Sequence, residues 1–220
     1  QRSDLETPIE RAPDIEEEGT VILTDAADAT SSGASGDYNA ILRRLRAHGY
    51  SGRVLLPIVD PAAVAEATEA GVGARIRTAI GGAMDPGRFT PLPISAEVVM
   101  LSNGEVVSES NNAIWHAGPT AVLQSANYTI VATTRAVSLF DRSLFLSHGQ
   151  NPQHFELVVV KSPHCQPHFF DDWALVNFNV DAPGSTSANL HSLGHTACKR
   201  PIYPLEEIES WTPSVKLFSR

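Results

Sequence analysis

Val21-Ile22-Leu23-Thr24-Asp25-Ala26-Ala27-Asp28-Ala29-Thr30-Ser31-Ser32-Gly33-Ala34-Ser35-Gly36-Asp37 passes from β-forming residues into a loop with no side chain larger than threonine or aspartate. Tyr38, Ile41, Leu42 and Leu45 follow at i, i+3, i+4 and i+7, the spacing of one helical face. The order is strand, loop, helix, and Gly49 stands where a helix end favours a left-handed residue. Residues 54–59 then read as a buried strand, Asp60 as an N-cap, Pro61 as the first helical residue and Gly71 as the helix stop. A βαβα order of this kind predicts parallel strands.

Downstream the pattern changes. Residues 74–80 alternate, and residues 94–101 and 105–108 flank Ser102-Asn103-Gly104, where Asn-Gly signals a hairpin. Residues 120–123 and 128–134, joined through 124–127, predict a second hairpin. Parallel character returns with a strand at 156–160, a short helix at 163–173 and a strand at 174–180, before an irregular end carrying Pro183, Pro201, Pro204 and Pro213. The expected fold is α/β, a mixed sheet with βαβ units at both ends of the chain and an antiparallel meander inserted in the middle.

Composition sets further bounds. A chain of 220 residues with 42% hydrophobic content is ordinary for a folded domain, and its longest apolar runs fall far short of the roughly 18 residues of a membrane span. A net charge of −9 argues against a duplex-binding surface, so neither nucleic acid nor membrane is an expected partner. Residues 1–18 hold seven acids and two arginines; they read as an acidic linker or the remnant of an upstream segment, with the α/β domain over 19–220. The two cysteines, Cys165 and Cys198, suit a reducing compartment and a cytoplasmic location.

Ligands of open α/β sheets bind outside the carboxyl ends of the strands. Four expected strands end there in a charged residue: Asp25, Asp60, Lys161 and Asp181. Asp60 has a sufficient role as a helix cap and Asp181 as a turn starter, whereas Lys161 either pairs with a neighbouring aspartate or meets an anionic ligand. Ordering the Ser31–Gly36 stretch costs about 1–2 kcal/mol per residue in backbone entropy, with little apolar burial in return. Its glycines, and a helix beginning near Asp37, suit an oxyanion; a small-anion-binding module using loop 28–37 is therefore one functional reading. The Walker and Gly-x-Ser-x-Gly motifs are absent. His164, His168, His191, His195 and Cys198 have a spacing that could hold a zinc ion, but Pro167 and Gly194 interrupt the pairs and ordinary hydrogen-bonded histidines account for them better. Trp115, His116 and Trp173 read as packing.

These residues also carry a resemblance. Residues 21–28 with Ser32-Gly33-Ala34-Ser35-Gly36-Asp37, then Gly118-Pro119-Thr120-Ala121-Val122-Leu123, Val159-Val160-Lys161-Ser162, Asp181-Ala182-Pro183-Gly184 and Arg200-Pro201-Ile202-Tyr203-Pro204-Leu205 resemble, in that order, the C-terminal domain of the MlrC family. This microcystin-degradation group is assigned to the zinc metallopeptidases, and the likeness runs over about residues 19–206. It implies a catalytic zinc held by aspartate and histidine in an N-terminal domain that this sequence does not contain. The expected partners are that domain and a peptide or amide substrate, and this chain alone is expected to be inactive. Asp25, Asp28, Ser32, Gly33, Gly36, Asp37, Lys161 and Asp181 are then the expected substrate-binding residues, with Asp28 or Asp37 orienting an amine and Lys161 a carboxylate.

Overall fold

Period-two side-chain placement divides the apolar runs between two faces of one sheet. In the computed structural model, which describes residues 2–4, 19–163 and 167–218, strand β1 is Arg2–Asp4 and β2 is Val21–Asp25. Val21 and Leu23 enter one core while Ile22 enters the other; in β3 (Val54–Val59), Val54, Leu56 and Ile58 join the first core and Leu55 the second. Strands covered on both faces read as continuous hydrophobic runs, the mark of a parallel sheet.

The remaining strands are β4 (Arg75–Ile80), β5 (Leu92–Ser102), β6 (Glu105–Val107), β7 (Ile114–His116), β8 (Thr120–Ser125), β9 (Tyr128–Thr133), β10 (Leu157–Val160) and β11 (Val176–Asp181). Among the described residues, nine form one sheet in the order β1-β11-β2-β10-β3-β9-β8-β5-β4, and β6 pairs with β7 alone. From β1 to β9 every neighbour is parallel; from β9 to β4 every neighbour is antiparallel. The expected mixed sheet with an antiparallel meander is the observed one. Pro57 is tolerated inside β3 because β10 pairs there only with Val54 and Leu55.

Helix α1 (Ala40–Ala47) covers the first face with Ile41, Leu42 and Leu45, and α2 (Pro61–Ala70) does so with Ala63, Val64 and Ala67. Asp60 caps α2, accepting the Ala63 N–H at 2.9 Å. The second face is covered by α3 (Ser143–Ser147), by Phe170 of α4 (Pro167–Phe170), and by Val106 of β6. His148 ties α3 to the end of β5: Nδ1 lies 2.7 Å from the Leu144 carbonyl and Nε2 2.8 Å from Ser102 Oγ. The carbonyl requires the proton on Nδ1, so Nε2 accepts from the hydroxyl. Burial pushes the His148 pKa down, which keeps the ring neutral.

Several expectations are corrected. Asn103-Gly104 does not close a β5–β6 hairpin, because both edges of β5 are taken by β4 and β8 and the chain must leave the sheet. α1 starts at Ala40 rather than near Asp37, and the helix expected over 163–173 is only the four-residue α4 among the described residues. Trp115 and His116 belong to strand β7, which has no expected counterpart, and neither has α3. Residues 2–4 pair with β11, whereas 5–18 of the acidic segment lie outside the described residues.

The contacts divide the chain into a unit ending at Ala188 and a second from Asn189 onward. The second holds one 3-10 turn, Leu190–Leu193, and a loop closed by the Arg200–Glu206 ion pair at 2.9 Å. Residues 207–218 form no helix or strand.

Candidate functional site

The strand order places β11, β2, β10 and β3 side by side. Because all four are parallel, Asp181, Asp25, Lys161 and Asp60 come to the same edge, in that order. Asp60 is fully engaged there: besides capping α2, it accepts the Gly81 N–H at 2.7 Å.

Lys161 takes the first of its two expected roles. Its ammonium donates to Asp28 Oδ2 at 2.7 Å, to the Gly36 carbonyl at 2.8 Å and to the Tyr38 carbonyl at 2.7 Å, using all three N–H groups. Asp28 in turn accepts the backbone N–H of Gly36 on Oδ1 and of Tyr38 on Oδ2, each at 2.8 Å. Both side chains are enclosed, Asp28 at 0% and Lys161 at 3% exposure. The polar loop is thus wrapped around an internal ion pair, which supplies the ordering that its small side chains cannot. Gly36 sits within this knot at φ +77°, where a Cβ would meet Thr30 and Val59 at 2.7 Å.

Asp25 lies beside the pair, accepting the N–H groups of Ala27 and Asp28 at 3.1 and 3.3 Å. Burial raises its pKa to about 6; the Lys161 charge pulls it down and Asp28 pushes it up. Asp37 accepts the Ser35 hydroxyl on Oδ1 and the Met84 N–H on Oδ2 at 2.7 Å, fastening the loop after β4.

Three contributors have no motif that announces them. Thr186 Oγ1 donates between the Ala26 and Ala27 carbonyls at 2.8 and 2.9 Å and accepts the Ala29 N–H at 3.2 Å. Gly184 lets that clamp close, since a Cβ there would stand 2.2 Å from the Ala27 oxygen. Asn39 donates to the Ile80, Gly81 and Thr90 carbonyls. The only sequence signal for the clamp was the turn Asp181-Ala182-Pro183-Gly184, followed by hydroxyl residues.

The expected residues therefore separate into two sets. Asp25, Asp28, Gly36, Asp37 and Lys161 are buried and shape the loop from within, while Ser32 and Gly33 are exposed and Asp181 is half-buried. The polar atoms of Asp28, Asp37 and Lys161 are engaged within this chain. Within the loop, the Asp28 carboxylate occupies the backbone N–H groups of Gly36 and Tyr38. Beneath the loop, Val59, Val137, Leu139 and Leu144 leave a cavity of about 10 Å³, room for one water.

Open space lies to one side. A groove of about 540 Å³ is lined by Ala40, Arg43, Arg44, Arg88, Phe89 and Pro183. Phe89 stacks on Tyr38 with ring centroids 4.0 Å apart, and Pro183 follows β11, so the groove adjoins the strand-end row. Arg43 spends its guanidinium on Asn39 Oδ1, the Thr90 hydroxyl and the Thr90 and Pro91 carbonyls, and Arg88 pairs with Asp85 at 2.6 Å.

Among the described residues, no three His, Cys, Asp or Glu side chains are grouped to hold a metal ion. His164 and the His168 side chain lie outside the described residues, while His191, His195 and an exposed, free Cys198 belong to the second unit. No described helix is long and apolar enough to cross a membrane.

Comparison with known proteins accords with this architecture. The family model for the MlrC C-terminus matches residues 23–197. Microcystinase C of Sphingomonas sp is 25% identical over 189 residues, covering 86% of this chain and 36% of that protein. The crystal structure of a Mesorhizobium sp. BNC1 protein assigned as a metallopeptidase superposes with a TM-score of 0.83 at 27% identity, over 96% of this chain and 42% of that one. The chain thus spans well under half the length of the relatives it matches.

Proposed function

The chain belongs to the MlrC C-terminus family, and from that membership we propose that it is the substrate-facing domain of a two-domain, zinc-dependent peptide or amide hydrolase. The relatives' greater length supports a companion N-terminal domain in the same polypeptide, and the ligands of the zinc are assigned to that domain. When bound there, the metal supplies Lewis-acid polarisation of the scissile carbonyl and an acidified water. We also place the protein in the cytoplasm, where its two thiols remain reduced.

The observation that carries this reading is the row of four adjacent strand ends, bearing a loop locked from within and exposed at its crown, Ser31–Gly33. Such a rim is rigid where it is held and bare where it faces outward. Its work is to position the substrate and to keep bulk water away. Ser32, Gly33 and Asp181 face the substrate; Asp25, Asp28, Gly36, Asp37 and Lys161 hold them in place. A substrate carboxylate is received at the groove by Arg88, which is exposed and gives Asp85 one of its nitrogens, rather than by Lys161, which has no N–H group to spare.

Two surface substitutions in the longer protein test this assignment, Ser32→Tyr at the crown and Arg88→Ala in the groove. Each is expected to lower kcat/KM for zinc-dependent hydrolysis of a peptide or amide substrate about tenfold with little change in Tm. Unchanged kcat/KM in both variants would remove the substrate-facing role.

A further inference from the structure

The end of the described chain, Trp211-Thr212-Pro213-Ser214-Val215-Lys216-Leu217-Phe218, holds more exposed large hydrophobic residues than any other eight-residue stretch among the described residues. Trp211 is 76% exposed, Val215 70%, Leu217 92% and Phe218 88%. Contiguous apolar surface of this kind marks an interaction site rather than a solvated tail.

The pattern says what kind of contact it makes. Trp211, Pro213, Val215 and Leu217 fall at i, i+2, i+4 and i+6, with Thr212, Ser214 and Lys216 between them. That is the alternation of a strand with one face buried. Pro213 removes one N–H and so confines the segment to a sheet edge or to a groove approached from one side. The segment nevertheless pairs with no strand here, and residues 211–218 have no regular structure. The solved relative covers 96% of this chain. The same relative carries more than half of its length outside the match, which is ample polypeptide to supply an acceptor.

We propose that residues 211–218 are a docking strap that lays its apolar face, in extended conformation, on the companion N-terminal domain of the same polypeptide. The proposal rests on the reading that such a domain exists. The strap would add apolar burial to the interdomain contact.

Hydrogen exchange of the longer natural protein, compared with that of this 220-residue chain alone, tests it. Amides of 212 and 214–218 are expected to exchange about 100-fold more slowly in the longer protein and at the unprotected rate in the chain alone. The triple variant Trp211→Ser, Val215→Ser, Leu217→Ser is expected to restore fast exchange there without changing exchange within residues 20–160. Equally fast exchange in both wild-type forms, with zinc-dependent hydrolysis intact in the longer protein, overturns the strap and leaves the two-domain reading standing. Protection in the chain alone that grows with its concentration points to a second copy as the occupant and also overturns it. A natural polypeptide whose intact mass has no room for a companion domain overturns both.

Discussion

The loop 25–37 and the terminal segment 211–218 invert the usual relation between hydropathy and burial. The loop is built from aspartate, serine, threonine, glycine and alanine, yet Asp25, Asp28, Asp37 and much of its backbone are buried. The terminal segment holds tryptophan, valine, leucine and phenylalanine, yet all four are exposed. Partners explain the difference. The loop can be interior because Lys161, Thr186 and its own N–H groups satisfy its carboxylates and carbonyls, whereas the side chains of the apolar segment stand exposed to water. A polar stretch with complete internal partners belongs to the fold, and the exposed apolar stretch is proposed to belong to an interface.

If that contrast is right, breaking the loop's ion pair has the largest consequence. Lys161→Met leaves the Asp28 carboxylate buried without its cation and is expected to lower the unfolding free energy by about 3–5 kcal/mol in urea titrations. A loss under about 1 kcal/mol would mean that the pair is a passenger.

Asp25 sharpens the same point through pH. Its folded-state pKa is raised from 3.8 to about 6, so the folded state holds the proton more tightly than the unfolded one. The associated stability is fully present below about pH 4 and is lost as pH rises through 6. Asp25→Asn is therefore expected to gain stability over wild type between pH 4 and pH 8, by up to about 3 kcal/mol. Urea midpoints at the two pH values check this, and a pH-independent difference would contradict it.

The clamp comes next. Thr186→Val removes the donor shared by the Ala26 and Ala27 carbonyls and the acceptor of Ala29, and is expected to cost about 1–2 kcal/mol by the same titration. Leu217→Ser, in this chain alone, is expected to change stability by less than about 0.5 kcal/mol despite replacing a large apolar residue. A larger loss there would show that the segment already packs on its own chain and would erase the contrast.

Local pattern was sufficient for much of this protein. Continuous apolar runs at 21–24, 54–59 and 157–160 specified doubly covered parallel strands; alternation at 75–80 specified a half-exposed one; Asp60, Pro61 and Gly49 marked helix ends. These features are legible because secondary-structure period and capping depend on residues a few positions apart. The charged residues at four strand ends were legible for the same reason. What those charges do was not, since Asp28 and Lys161 are 133 positions apart and only the strand order β2-β10 brings them to 2.7 Å. The failed β5–β6 hairpin has the same origin: Asn-Gly favours a tight turn, but which strands occupy the two edges of β5 is settled across the whole sheet. Sequence alone determined most of the elements, the fold class and the sheet edge where the charged residues gather. Tertiary structure decided which polar groups face one another and which remain open to a partner, because pairing and burial depend on residues that the chain brings together only by folding.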